Sequence, residues 1–226
     1  MISPRPETVA PMVASPPAAA PSAPSAAYRA AEAAFAIPPV AERGRTNQNP
    51  PGIGFWALVA EDFRTHGSNP FEQGFWAVFT SRFGNWRMDQ PKILRAPATA
   101  LYLTMFKLVE ILAGISLWYT TKLGRRVRIW HHSGIVLSAR MIGDDAQIRQ
   151  NVTLGIKRVD RPQDCPIIGA RADIGAGAVI VGAVMVGEDA RVGANALVVE
   201  DVPPGATAIG NPARTVGRRG GRGSAG

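Results

Sequence analysis

A chain of 226 residues, 46% hydrophobic and with a formal net charge of +8, is long enough to bury a substantial core in one or two domains. The single cysteine, Cys165, excludes an internal disulfide, and the longest apolar stretch, 101–114, is broken by Lys107 and Glu110, which argues against membrane insertion. No basic segment followed by an apolar one opens the chain, so a secretory signal is not expected and the cytoplasm is the expected compartment.

Residues 1–52 carry 11 of the 19 prolines, with many Ala and Ser and few large apolar groups. Such a stretch buries too little surface to offset the entropy of ordering, so a disordered, dispensable arm is expected there. From Ile53 the composition changes. FWALVAEDF (55–63), FEQGFWAVFTSRFGNWRM (71–88) and TALYLTMFKLVEILAG (99–114) read as helices, the last ending at Gly114. Its apolar stripe is Leu101, Met105, Leu108 and Leu112, and Trp56, Phe75, Trp76, Phe79, Phe83 and Trp86 are expected to pack in the core of this 53–113 region. His66, in the turn before Pro70, reads as a surface residue.

From Leu117 an aliphatic residue returns every sixth position. The series is Leu117, Leu123, Ile129, Ile135, Ile142, Ile148, Leu154, Ile168, Ile174, Ile180, Val186, Val192 and Val198, with one register slip at Met141 and one insertion. A period of six fits neither a helix nor a flat sheet, but short strands and tight turns repeated around one inner wall satisfy it. The expectation is a mainly β chain, a parallel β-helix over 114–216 preceded by the small helical region. The helices would cover its open first coil. The polar insertion GIKRVDRPQDCP (155–166) must leave the coil as an external loop, and GRRGGRGSAG (217–226) reads as a flexible basic tail.

Positive charge concentrates between Glu110 and Asp144, where Lys122, Arg125, Arg126, Arg128 and Arg140 meet no acid. A phosphorylated cofactor, an acidic lipid surface and nucleic acid all fit such an excess, and the Gly/Arg tail alone is too short a signal to predict a nucleic-acid partner. Of three histidines two are adjacent, His131 and His132; without a third ligand at suitable spacing no metal site is expected. A nucleophilic serine elbow is absent too, which favours direct transfer over a covalent intermediate, with Ser133 read as the small residue of its hexad. A histidine of near-neutral pKa suits removal of a hydroxyl proton during attack.

The hexads resemble those of hexapeptide-repeat acyltransferases, which fold as left-handed parallel β-helices. HHSGIVLSARMIGDDAQIRQNVTLG (131–155), the segment 174–214 and GFWAVFTSRFGNW (74–86) narrow the resemblance to the serine O-acetyltransferase family, in the short form associated with exopolysaccharide synthesis. The resemblance implies acetyl-CoA as co-substrate, serine as acceptor, and a homotrimer or a dimer of trimers with each active site between two subunits. It makes His131 the general base and Ala176 and Ala194 the small residues beside the pantetheine arm. Arg191 and Arg214 are candidate partners for the cofactor phosphates, with Lys157 and Arg158 behind them. His132 would reach substrate from a turn; as strand neighbours, the two histidines would point to opposite sides. Three departures stand out. Ser116 occupies the position of the base's Asp partner, Trp130 replaces the acid before the base, and Asp164-Cys165 replaces a substrate-contacting Arg-His pair. Asp62, or Glu61, would hold serine's amino group. These losses leave a sugar hydroxyl as an alternative acceptor, and a non-catalytic scaffold as a reading from another class.

Overall fold

The computed structural model describes residues 23–39 and 42–218. Four helices come first: α1 (Ala26–Ala34), α2 (Phe55–Thr65), α3 (Gln73–Trp86) and α4 (Lys92–Ala113). Fifteen short strands follow, three to a coil. The first coil is β1 (Ile115–Ser116), β2 (Lys122–Leu123) and β3 (Arg128–Ile129), and the second is β4 (Ile135–Leu137), β5 (Met141–Ile142) and β6 (Gln147–Ile148). The third is β7 (Thr153–Gly155), β8 (Ile167–Ile168) and β9 (Asp173–Ile174), and the fourth β10 (Val179–Val181), β11 (Met185–Val186) and β12 (Arg191–Val192). Last come β13 (Leu197–Val198), β14 (Ala206–Gly210) and β15 (Ala213–Arg218).

Like strands stack in parallel into three sheets: β1-β4-β7-β10-β13, β2-β5-β8-β11, and β3-β6-β9-β12-β14 with β15 added antiparallel. We call these the first, second and third faces of a prism. The hexad leads line its interior; Ile129, Ile142, Ile148, Leu154, Ile168, Ile174 and Ile180 are buried in one continuous core. Glycine after a lead has a steric reason, since a Cβ on Gly143 would stand 2.6 Å from the Ala170 amide of the coil beneath. Left-handed backbone at the corner between the second and third faces is taken by Arg126, Asp145, Arg171 and Asp189, which alternate in charge and pair as Arg126–Asp145 (2.7 Å) and Arg171–Asp189 (2.8 Å).

The register slip read at Met141 is the sum of two changes. Eight positions run from Ile129 to Leu137, but six from their partners Ile148 to Leu154. Five run from Leu137 to Ile142, but six from Ile180 to Val186 in the matching places of a later coil. Two extra residues therefore sit in the corner before β4, and one is missing after it. Ser133 lies in that enlarged corner, exposed and with φ +82°, so it is not an inner-wall residue as its hexad position suggested.

The helices close the first coil, as expected, but with different faces. On α4 the buried side chains are Tyr102, Phe106 and Ala113, while Leu101, Leu108 and Leu112 of the expected stripe point outward. The helix also starts at Lys92 and continues through Pro97, and by length and composition it is apolar and long enough to cross a membrane. Phe75 is buried, but Trp56 is 74% exposed and Trp76 is exposed as well, against the expectation of a common aromatic core.

The joint between helices and prism is polar. Arg82, 1% exposed, donates from Nε to Asp62 Oδ2 (2.9 Å) and from its two Nη atoms to the carbonyls of Leu123 (2.7 Å) and Gly124 (2.5 Å). His66 is buried beside it, not on the surface. Its Nδ1–H donates to the Asp62 carbonyl (2.7 Å) and its Nε2 accepts from the Ile129 amide (3.3 Å).

The arm also differs from expectation over its described part. Residues 1–22 lie outside the described residues, but from Ser25 the chain climbs the second face from the last coil back to the first. Ser25 caps α1 and hydrogen-bonds Asp201; Glu32 pairs with Arg140 (3.1 Å); Lys122 donates to the Phe35 carbonyl (2.5 Å). Arg43 then donates to the carbonyls of Thr120 (3.1 Å) and Ala139 (2.7 Å), and Gln48 and Asn49 bond to α3. Composition alone hides this, because the few apolar groups present (Tyr28, Ala31, Phe35, Ile37) dock on Met141, Ile167, Ala183 and Met185.

Two predictions follow from the joint. Arg82→Ala leaves the Asp62 carboxylate buried without a partner, so chemical denaturation should record a loss of roughly 3–5 kcal/mol. By contrast, Arg171→Ala at an exposed corner away from the joint should leave the denaturation midpoint nearly unchanged. Burial pushes the His66 pKa below its ordinary value of about 6.5. The unfolded chain therefore takes up the proton first as pH falls, so this contribution is full above pH of about 6.5 and is lost below it. Melting temperature should drop between pH 7.5 and 5.5, and His66→Gln should flatten that drop; an unchanged slope in the variant would remove the assignment.

Candidate active site

The corner between the third and first faces gathers most of the residues singled out by sequence. Its rungs, from the helical end, are 130–134, 149–152, 175–178 and 193–196, and backbone bonds join them. Asn151 N donates to Ser133 O (3.1 Å), Gly177 N to Gln150 O (3.0 Å), and Asn195 N to Ala176 O (2.9 Å). Ala176 and Ala194 are thus neighbours on successive rungs, and their methyl groups are the smallest side chains that leave the edge open. With coils about 4.8 Å apart, Ala194 lies about 14 Å below the rung of His131.

His131 and His132 both stand exposed on the two-residue enlargement of the first rung. The chain there is no strand: φ is +62° at His131, +82° at Ser133 and +66° at Gly134. Alternation of strand neighbours therefore does not apply, and both rings protrude from one irregular turn. Left-handed conformation at two non-glycine residues is unfavourable and marks a corner held by its surroundings. Ser133 N is bonded to Ala113 O (2.8 Å), and Gly134 is pressed against Asn151, whose Oδ1 would lie 2.4 Å from a Cβ there. On the helical side, β3 is fixed by His66 and by Gly74 of α3, where a Cβ would stand 2.4 Å from the Ile129 carbonyl.

The expected acids are elsewhere. Asp62 is fully buried against Arg82, and Glu61 is bound by Arg125 (3.0 Å to Nε), whose guanidinium holds the carboxyl below its usual pKa. Neither reaches the histidines, because the second turn of α2 packs under the prism rather than beside its corner. Ser116 is half-buried on β1, opposite Val136, and among the described residues no hydrogen bond joins it to His131. Trp130 turns its ring under the Arg128 guanidinium (3.5 Å) and donates to Gln147 Oε1 (2.6 Å). Arg191 lies exposed on the outward row of the third face between Asp173 and Thr207, two residues before the rung of Ala194. Arg214 is exposed on β15, opposite Ile209, whose side chain covers Gly193.

Sequence reasoning missed Gln150, on the rung between His131 and Ala176. Its side-chain oxygen is buried with no partner among the described residues. The only signal available was its place in the corner beneath the histidines. The external loop occupies 156–166, at the opposite border of the first face. Cys165 is 1% exposed there, so its thiol is not offered to a ligand, while Asp164 pairs with Arg161 (3.7 Å).

No family model matches the chain. It is 36% identical over 146 residues to a serine acetyltransferase of Mycobacterium tuberculosis, a match that covers 64% of this chain and 61% of that protein. A serine acetyltransferase of Helicobacter pylori is 40% identical over 111 residues, 49% of this chain and 65% of that protein. The chain therefore spans less than two thirds of the length of these curated relatives. Among solved structures, soybean serine acetyltransferase complexed with serine superposes with a TM-score of 0.60 at 30% identity, covering 72% of this chain and 69% of that one. The fold class, a left-handed parallel β-helix preceded by a helical region, is the one these structures share.

Proposed function

This chain belongs to the serine acetyltransferase family, and from that premise we propose that it transfers an acetyl group from acetyl-CoA directly to the hydroxyl of L-serine. The observation that carries the reading is the single corner on which the exposed His131 stands above the open rungs of Ala176 and Ala194. The pantetheine arm would lie along those rungs, with Arg191 and Arg214 at their far end for the phosphates. His131 takes the hydroxyl proton as the serine oxygen attacks the thioester carbonyl, and the resulting imidazolium returns it to the departing CoA sulfur. Gln150, whose side-chain oxygen is buried without a partner among the described residues, lies on the rung between His131 and Ala176, and its amide N–H would donate to the carbonyl oxygen on which negative charge develops.

The three faces support assembly as a trimer. The second face is covered by the arm. The outward row of the third is Arg128, Gln147, Asp173, Arg191 and Thr207, all polar. That of the first is Ser116, Val136, Thr153, Val179 and Leu197, mostly apolar and free of charge. An uncharged, apolar row suits contact with other copies. The histidine corner and the 156–166 loop are opposite borders of that same face, so threefold packing brings the loop of one copy to the corner of the next. The outward apolar side of α4 would then pair two trimers.

Purified protein given acetyl-CoA and L-serine should release CoA thiol in a serine-dependent manner. Release that requires a nucleotide sugar and ignores serine would transfer the reading to the sugar acceptor, and no release with either would leave a scaffold. His131→Ala should lower kcat by ~10²–10⁴-fold with little change in acetyl-CoA affinity. Ser116→Asp should keep or raise activity if this position faces the imidazole of the base. Light scattering should return three or six times 24.0 kDa. Val179→Glu, which introduces a charge into the first face, should yield an inactive monomer; an active trimer in that variant would rule this face out as the interface.

A further inference from the structure

We propose that Tyr28 is a positioning residue for the acceptor side of the site, with the arm, through residues 25–39 and Arg43, acting as a strap that fixes the outgoing loop. The inference rests on the acetyl-transfer reading for its kinetic part only. The loop 156–166 has few anchors of its own. Arg158 pairs with Asp160 two residues away, Arg161 with Asp164, and the Cys165 thiol reaches the Pro162 carbonyl at 3.6 Å. None of these ties the loop to the prism, which holds its last two residues through Arg140 N to the Pro166 carbonyl (2.8 Å) and Ser138 Oγ against the Cys165 sulfur (3.8 Å). The arm adds a further hold from outside. Tyr28, 2% exposed, donates its hydroxyl to the Cys165 carbonyl at 2.6 Å across 137 residues of sequence, and its ring packs with Ala31 against Ile167 and Met141. Arg43 approaches the Cys165 sulfur at 3.9 Å while bonded to the carbonyls of Thr120 and Ala139. The groups facing Tyr28 are Glu32, Arg140, Cys165 and Asp164, and burial raises the phenol's pKa, so it stays a donor at any physiological pH.

The strap and the loop depend on each other. A nine-residue helix is marginal in water, so α1 exists because its apolar side has a seat. That seat is β5, β8 and β11, and β8 begins directly where the loop ends. Holding the Cys165 carbonyl therefore fixes both the residue pair Asp164-Cys165 and the border of the first face that a neighbouring copy's His131 would meet.

Hydrogen exchange on the full chain tests the strap without reference to catalysis. Tyr28→Phe keeps the ring and loses the hydroxyl; Tyr28→Ala empties the seat. Exchange in 156–166 should accelerate in both variants, more in the second, with the core strands still protected. In the acetyl-transfer assay the KM for serine should rise about fivefold in Tyr28→Phe, the factor expected for one lost hydrogen bond. Its kcat and its KM for acetyl-CoA should stay near those of the parent. Unchanged loop exchange in Tyr28→Phe overturns the strap, and so does a loosened loop with an unchanged serine KM. A parent chain that fails to acetylate serine refutes the acetyl-transfer reading instead, and the exchange result then decides the strap alone.

Discussion

Every interior coil of the prism satisfies its backbone N–H and C=O groups through the coils above and below it, in register. Gly143 N bonds to Ile168 O and Gly169 N to Val186 O along one corner, both within 2.8 Å, and the other corners repeat the pattern. Such a ladder has no natural end. An uncovered terminal coil would present orphan polar groups and an apolar core in cross-section. At the first coil Ala77, Val78 and Ala113 continue the hydrophobic core into the helices, and the Arg82 guanidinium satisfies the carbonyls of Leu123 and Gly124. At the last, the antiparallel return of β15 closes the third face.

The same ladder determines where chemistry can be placed. Strand residues alternate between the core and an outward row, so the prism offers reactive groups only at corners, where the backbone turns. Two extra residues in the corner before β4 free His131 and His132 from the alternation, and the compensating residue lost before β5 restores the register. A corner of ordinary length keeps six positions between one lead and the next, as from Ile148 to Leu154. The added length at this turn thus places both histidines on one irregular segment instead of a strand.

Much of this was legible in the sequence, for physical reasons. The hexad leads are fixed by the interior, the insertion by its polarity, and the end of α4 by Gly114, whose φ is +63°. What was not legible depends on tertiary partners. Two length changes of opposite sign read as one slip at Met141. The arm looks disordered because its four docking side chains are thinly spread and their seat lies more than a hundred residues away. Amphipathic reading failed for α4 because nearly its whole circumference is apolar, so the pattern could not say that Tyr102 and Phe106 face inward. Asp62 looked like a ligand for an amine, yet a carboxylate beside a buried guanidinium serves the joint.

These placements leave His131, the proposed base, in an unusual setting. Glu61 and Asp62 are engaged by arginines of the joint, Trp130 is folded against Arg128, and the position opposite Val136 is Ser116. Among the described residues of one chain, therefore, no carboxylate is bonded to the His131 imidazole. A hydroxyl fixes a tautomer by hydrogen bonding but adds little to the stability of imidazolium, whereas a carboxylate contributes Coulombic attraction that grows as the proton is transferred. Under the proposed mechanism the chain compensates through geometry: a corner fixed by His66, Gly74 and the Ala113 carbonyl on one side and, in the proposed trimer, the 156–166 loop of a neighbouring copy on the other. On that proposal, precision at the corner and tethering of the loop substitute for the missing charge, which places the polar joint and the arm in the same functional argument as the histidine itself.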